Sequence, residues 1–220
     1  MRIVIAGGHG QIARRVGRLL SARGDAVAGL IRNPDHRADL ETDGVQPVVL
    51  DLESASVDEV AEVVTGADAV LFAAGAGPGS GAARKHTVDH GAAVLLADAA
   101  ERAGVHRYLL VSSMGVEKGR QGTPPGMDPV FAVYLQAKLR AEDEILPRPA
   151  LQTTIVRPGS LTDVPGTGRV TLGHGLPPGE VPRDDVAAVL VAFLDAPRDG
   201  AVVEVVSGDT PVAEAVAAIP

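Results

Sequence analysis

The chain of 220 residues carries 20 Lys and Arg against 28 Asp and Glu, a formal net charge of -8, with 3 Phe, 2 Tyr, no Trp and no Cys. The acidic balance and the shortage of stacking aromatics argue against a nucleic-acid partner, and the lack of cysteine excludes disulfides, thiolate metal sites and a cysteine nucleophile. With 45% hydrophobic and 22% charged residues, the chain is rich enough in apolar side chains to bury one core, and a single domain over 1–220 is expected.

In chain order, the apolar run RIVIA (2–6) predicts a strand buried on both faces. GQIARRVGRLLSARG follows, with Ile12, Val16, Leu19 and Leu20 on one helical stripe and Gly24 as a stop. AVAGLIR (26–32) and QPVVLDL (46–52) predict the second and third strands. SVDEVAEVVTG predicts a helix capped by Ser56 and ended by Gly66, and DAVLFAAG (68–75) the fourth strand. A long helix is expected over about 82–104, a fifth strand at HRYLLVSS (106–113), a helix over about 128–146, and a sixth strand at LQTTIVRPG (151–159). The tail predicts a helix at 183–196, a strand at 201–208 and a short last helix with Pro211 in its first turn.

Such alternation predicts an α/β fold: a doubly wound parallel sheet of the Rossmann type, with a short C-terminal substrate-covering region at about 160–220. The Gly/Pro-rich stretches 75–84 and 160–182 are expected as flexible loops at the carboxyl ends of strands, where ligands of such folds bind. The N-terminal apolar run is too short for a signal h-region, and no segment approaches the roughly 20 apolar residues that span a bilayer. A cytoplasmic protein without a membrane partner is expected.

Between the first strand and first helix, IAGGHGQIA gives G-x-x-G-x-x-A from Gly7 through Gly10 to Ala13. Gly7 permits a tight turn, Gly10 lets the backbone approach a diphosphate, and Ala13 lets the helix lie close to the strand. The helix N-terminus offers free N–H groups to the anion. The expected dinucleotide cradle is therefore Gly7, Gly8, His9, Gly10, Gln11 and Ile12. The second strand ends LIRNP, with Arg32 where a reader of NAD usually carries an acid. A guanidinium there fits a 2′-phosphate, with Arg37 assisting, so NADP is expected over NAD; a solvated strand-end charge is the plainer alternative.

Tyr134 and Lys138 stand four apart on one helix, so both emerge on the same face. Alone, the pair reads equally as a packing tyrosine beside an ordinary lysine. A glycine turn, a parallel sheet and Ser113 at the end of the fifth strand make it a catalytic candidate, with Ser112 as the second choice of serine. A phenol is a poor base near neutral pH, and a cation one turn away is expected to lower its pKa. His86 and His90 lack a third ligand, so no metal is expected. AEDEI (141–145) reads as a charged helix face, Asp184 and Asp185 as caps of the following helix, and Tyr108 as core or surface filler.

Taken in order, AGGHGQIA, LIRNP, VVLDL, VLFAAGAG, YLLVSS, YLQAK, TTIVRPGSL, GTGRV, VPRDDVA and VVEVVSGDTPV resemble the short-chain dehydrogenase/reductase superfamily. The likeness covers nearly the whole chain and is greatest to the short atypical branch labelled NAD-dependent epimerase/dehydratase. It implies that Asp51 and Leu52 hold the adenine, and that Ala73, Ala74 and Gly75 line the adenosine ribose side. It further implies that Pro158, Gly159, Ser160 and Leu161 border the nicotinamide, and that Ser113, Tyr134 and Lys138 are the catalytic Ser, Tyr and Lys, with Lys138 also on the nicotinamide ribose. The expected activity is NAD(P)H-dependent oxidoreduction of a small carbonyl, quinone or flavin-like substrate by a monomer or homodimer. An NADP(H) redox sensor with little turnover is an alternative, as is an NAD-dependent epimerase/dehydratase. About 60 residues after RPG leave little room for a nucleotide-sugar.

Overall fold

The computed structural model describes residues 1–77, 79–123 and 126–220; Pro78, in the stretch 75–84 expected as a loop, and Pro124 and Pro125 lie outside the described residues. In chain order the elements are β1 (Arg2–Ala6), α1 (Gln11–Ala22), β2 (Ala26–Ile31), α2 (Arg37–Thr42), β3 (Gln46–Val49), α3 (Val57–Val64) and β4 (Ala69–Phe72). Then come α4 (Gly81–Arg84), α5 (Ala93–Ala103), β5 (Arg107–Val111), α6 (Pro129–Ile145), β6 (Gln152–Pro158), β7 (Ser160–Thr162) and β8 (Arg169–Gly173). The chain closes with β9 (Glu180–Pro182), α7 (Arg183–Asp195), β10 (Val202–Ser207), β11 (Thr210–Pro211) and α8 (Val212–Ala217).

Side-chain alternation along the strands decides the layering. Ile3, Ile5, Leu71 and Leu109 point to one face of the sheet, with α1, α7 and α8. Val4, Ala6, Val70, Phe72, Tyr108 and Leu110 point to the other, with α3, α5 and α6. Each strand is apolar on both faces, so both must be covered. Every fully buried Ile, Leu or Phe contributes about 1.5–3 kcal/mol of burial, and all of these are at most 1% exposed. Tyr108 is core, its hydroxyl donating to the Ala93 carbonyl at 2.8 Å.

The sheet has 9 strands in the order β11-β8-β10-β6-β5-β4-β1-β2-β3. From β10 to β3 the neighbours pair in parallel, and β8 runs antiparallel at the β10 edge. β1 lies between β2 and β4, so the chain reverses its direction of travel there, and a crevice opens at the carboxyl ends of β1 and β4. The expected doubly wound Rossmann-type sheet is thus observed. Ser56 caps α3 in a capping box with Glu59, and Gly104 ends α5 in the left-handed region.

Four expectations need correction. The stretch 160–182 is not loop alone: it holds β7, β8 and β9, because Val170 and Val181 are buried and draw their short segments into sheets. The long helix after β4 is not uniformly α, since Lys85–Ala92 is a π segment between α4 and α5. Asp184 and Asp185 do not cap α7. They accept from the loop before it instead: Asp184 from Gly166 N–H at 3.2 Å, Asp185 from Thr167 N–H at 3.0 Å and Gly168 N–H at 2.7 Å. Within AEDEI, Glu142 is buried and paired with Arg157 rather than solvated. No helix is long and apolar enough to cross a membrane among the described residues.

Candidate functional site

The turn after β1 forms because Gly7 adopts φ +79° and lets Gly10 N–H return to the Gly7 carbonyl at 2.8 Å. A Cβ on Gly7 would lie 2.6 Å from Ala74 Cα, so the turn rests directly on the end of β4. α1 then starts with Arg14 N–H on the Gly10 carbonyl at 2.9 Å, with no acid in its first turn. Its first N–H groups have no acceptor within the helix, and no carboxylate competes for them. Gly8 has a different task from the one expected. Its N–H bonds the Leu30 carbonyl at 2.8 Å, and a Cβ there would lie 2.7 Å from Gly29 Cα. Gly8 packs β1 against β2, and its donor is unavailable to a phosphate.

Two cavities meet at this turn. One, of about 370 Å³, is lined by Gly7, His9, Gly10, Arg32, Asp51, Leu52, Ala73, Ala74 and Gly75, the residues expected around phosphate and adenosine. Arg32 Nη1 sits 3.2 Å from Glu53 Oε2, which Arg84 Nη2 also reaches at 2.6 Å; Thr87 Oγ1 donates to Oε1 at 2.6 Å. Arg84, then Thr87, hold the Glu53 carboxyl below its usual range. The Asp51 carboxylate accepts from Glu53 N–H at 3.0 Å. His9 stacks on His36 with ring centres 3.5 Å apart, and His9 Nε2 bonds Asp39 at 2.7 Å.

The second cavity, of about 840 Å³, is lined by Gln11, Ile12, Tyr134, Lys138, Pro158 and Leu161, and shares Ala73, Ala74 and Gly75 with the first. Gly159 and Ser160 turn away into backbone pairing, with Gly159 N–H on the Val205 carbonyl and Ser160 N–H on Gly179, each at 2.9 Å. Ser112 lines the cavity, but its hydroxyl is committed to Glu142, which also holds Arg157. Ser113 is near enough to the phenol to pull it weakly down, but it is not among the residues that line the cavity, and its hydroxyl donates to the Met114 carbonyl at 3.3 Å.

The Tyr134 phenol is pushed up to about 12 by burial and then by the charge of Asp89, with Ser113 pulling weakly down. This reverses the expected lowering by Lys138. The reason is local: Lys138 is 3% exposed, and its Nζ donates to the Val111 carbonyl at 3.0 Å and lies 3.6 Å from Asp89 Oδ1. Burial lowers the Lys138 pKa, and Asp89 opposes that. The ammonium is therefore largely balanced by Asp89 before its field reaches the phenol. The Tyr134 phenol therefore keeps its proton near neutral pH.

Asp89 and Lys85 were not singled out from the sequence. Both belong to the π segment and both line the larger cavity. Asp89 is fully buried; its Oδ2 accepts from Ala76 N–H at 3.1 Å, while Oδ1 lacks a hydrogen-bond partner among the described residues. Lys and Asp four apart after the fourth strand were the available signal, but the same spacing is ordinary on a solvated helix. Glu53, Arg84 and Phe131 were missed for similar reasons. No group of three or more His, Cys, Asp or Glu placed to hold a metal occurs among the described residues.

A crevice at the switch point of a doubly wound sheet, floored by a glycine turn and a helix N-terminus, fits a dinucleotide: its two lobes give room on either side of the diphosphate. This defines a Rossmann-type nucleotide-binding protein. The chain belongs to the NAD(P)H-binding family, whose model matches residues 7–197. It is 35% identical over 217 residues to a Bacillus subtilis (strain 168) protein described as uncharacterized sugar epimerase YhfK, covering 98% of each chain. A solved Bacillus halodurans structure, provisionally described as an NAD-dependent epimerase/dehydratase, superposes with a TM-score of 0.88 at 33% identity, covering 99% of each chain. The oxidoreductase ylbE from Lactococcus lactis gives a TM-score of 0.82 at 26% identity, over 99% of this chain and 95% of that one.

Proposed function

We infer that the protein is an NADP(H)-dependent oxidoreductase that works chiefly as a reductase of a small carbonyl or quinone. The observation that carries this reading is the protonated Tyr134 phenol in a cavity joined to the dinucleotide crevice across Ala73, Ala74 and Gly75. The coenzyme, when bound, supplies hydride chemistry. The residues do the rest. Gly7, Gly10 and the start of α1 receive the diphosphate, and Arg32 with Arg84 faces the adenosine end. Tyr134 donates its proton to the substrate oxygen, and Ser113 orients that oxygen. Lys138, held by the Val111 and Ala74 carbonyls at 3.0 and 3.4 Å and by Asp89 at 3.6 Å, fixes the depth of the site beside the nicotinamide ribose. A phenol pushed up to about 12 holds its proton near neutral pH, the state in which it can give that proton to a substrate oxygen.

Preference for NADP rests on Arg32 and Arg84, two guanidiniums that share the single carboxylate of Glu53. A 2′-phosphate placed between them would compete with Glu53 for bidentate bonds.

The experiment is NADPH oxidation against a panel of small carbonyls and quinones, with Tyr134→Phe as the variant. Turnover should fall by about 10²–10⁴-fold while NADPH affinity stays within about twofold. Equal turnover in the variant overturns the role of Tyr134. A wild type that binds NADPH but turns over nothing points instead to the sensor, a reading favoured by the balancing of Lys138 by Asp89.

A further inference from the structure

We propose that Lys85 receives an anionic group of the substrate, so that the substrate is a flat aromatic carbonyl compound carrying a carboxylate or a group of the same charge; this rests on the larger cavity being the reaction site. The wide turns of Lys85–Ala92 bring Lys85 and Asp89 to one cavity, and Lys85 is only 8% exposed. Its Nζ donates to the Gly77 carbonyl at 2.8 Å and stands 5.4 Å from the Tyr134 ring centre. An ammonium has three donors, and a buried one is costly to leave with a lone neutral acceptor.

The carboxylates that line the cavity face other partners. Asp89 faces Ala76 N–H and Lys138. Asp128 caps α6 through Phe131 N–H at 2.8 Å. Lys85 thus retains capacity for an anion beside the ring of the proposed proton donor. Acid and carbonyl must therefore belong to the same compact molecule.

The rim gives the shape. Phe131 and Tyr134 stack with ring centres 5.8 Å apart and planes 26° from parallel. In a chain with 3 Phe and 2 Tyr, one of each meets here, which favours a flat ring over a sugar as occupant. Val130, Phe131 and Leu161 are 41%, 47% and 37% exposed at the same rim, apolar surface that a ring would cover.

The test uses 1,4-naphthoquinone and its 2-sulfonate as a matched neutral and anionic pair. Their dissociation constants are measured on the NADP⁺-bound protein, and their KM values with NADPH. Binding and KM are compared rather than kcat, because the sulfonate also changes the quinone's reactivity. Wild type should favour the sulfonate by about tenfold. Lys85→Met should narrow the preference to within about twofold, and Lys85→Arg should keep it. A wild type that binds the two equally, or binds neither, overturns the proposal without any variant having to fold. So does a preference that survives in Lys85→Met. Preferential binding that depends on Lys85 but comes without turnover sustains the anion site and sinks the reductase reading alone.

Discussion

Lys138 Nζ and Asp89 Oδ1 face each other at 3.6 Å, one side chain 4% exposed and the other fully buried. The lysine comes from α6 and the aspartate from the π segment after β4, so the pair ties two elements together. Asp89→Asn keeps an acceptor for Ala76 N–H but removes the charge. Breaking a buried pair costs about 3–5 kcal/mol, because it strands the partner charge. The Lys138 pKa should fall further, since Asp89 is what holds it up against burial. The Tyr134 phenol should fall too, since Asp89 is one of the two influences raising it. The expected result is a lower melting temperature together with a phenol that ionises at lower pH. A variant with an unchanged phenol titration would show that Asp89 does not act on Tyr134.

That titration can be read cleanly, because the chain has 2 Tyr and no Trp. In Tyr108→Phe the tyrosinate absorbance reports Tyr134 alone, and its midpoint is expected at about 12. An unfolded phenol ionises near 10. Between about 10 and about 12 the folded state therefore keeps a proton that the unfolded chain gives up. Stability is fully present below that window and is lost as pH rises through it. Tyr134→Phe should flatten this alkaline loss. A midpoint near the free-phenol value in the folded protein would contradict the burial described here.

The layers were readable from the sequence because their cause is local. RIVIA, DAVLFAAG and HRYLLVSS are apolar on both faces, and only a sheet covered twice accepts such runs. The glycine turn was readable at Gly7, where φ must be positive, but Gly8 was misjudged: its neighbour Gly29 is distant in sequence and no local pattern announces the contact. β8 and β9 escaped because each owes its strand character to one or two buried valines within a Gly/Pro-rich stretch. Lys85, Asp89 and Glu142 escaped because a charged residue turned inward looks the same, in sequence, as one turned outward. That Tyr134 and Lys138 share a face was legible from their spacing, and both line one cavity, but the sign of the phenol's shift was not legible, because it depends on burial and on Asp89.

Under the proposed preference for NADP, coenzyme choice turns on Glu53, which holds Arg32 at 3.2 Å and Arg84 at 2.6 Å. Arg32→Ala should weaken NADP⁺ binding by about 10- to 100-fold, the range of one or two charge-assisted hydrogen bonds, and leave NAD⁺ nearly unchanged. Glu53→Gln should act oppositely on NADP⁺ by releasing both guanidiniums, tightening it severalfold. Calorimetric titration with each coenzyme distinguishes these effects. Equal losses for NADP⁺ and NAD⁺ in Arg32→Ala would place Arg32 at the adenine rather than at a 2′-phosphate.

Asp185 and Asp184 are adjacent but should respond very differently to truncation. Asp185 is 2% exposed and accepts from Thr167 N–H, Gly168 N–H and Thr167 Oγ1 at 3.0, 2.7 and 3.3 Å. Those bonds fix the loop leading into β8, whose Val170 is fully buried. Asp185→Ala removes a buried acceptor and its charge-assisted bonds to the exposed residues Thr167 and Gly168, which costs about 2 kcal/mol. For a chain of this length that is a fall in melting temperature of about 4–8 °C. Asp184 has a side chain 48% exposed, with Arg15 and Gly166 N–H as partners. An exposed pair of that kind contributes at most about 1 kcal/mol, so Asp184→Ala should move the melting temperature by no more than about 4 °C. Thermal unfolding of the two variants side by side decides the matter: similar losses would mean that the loop is not anchored through Asp185, and that β8 holds its place by pairing with β10 and β11 alone.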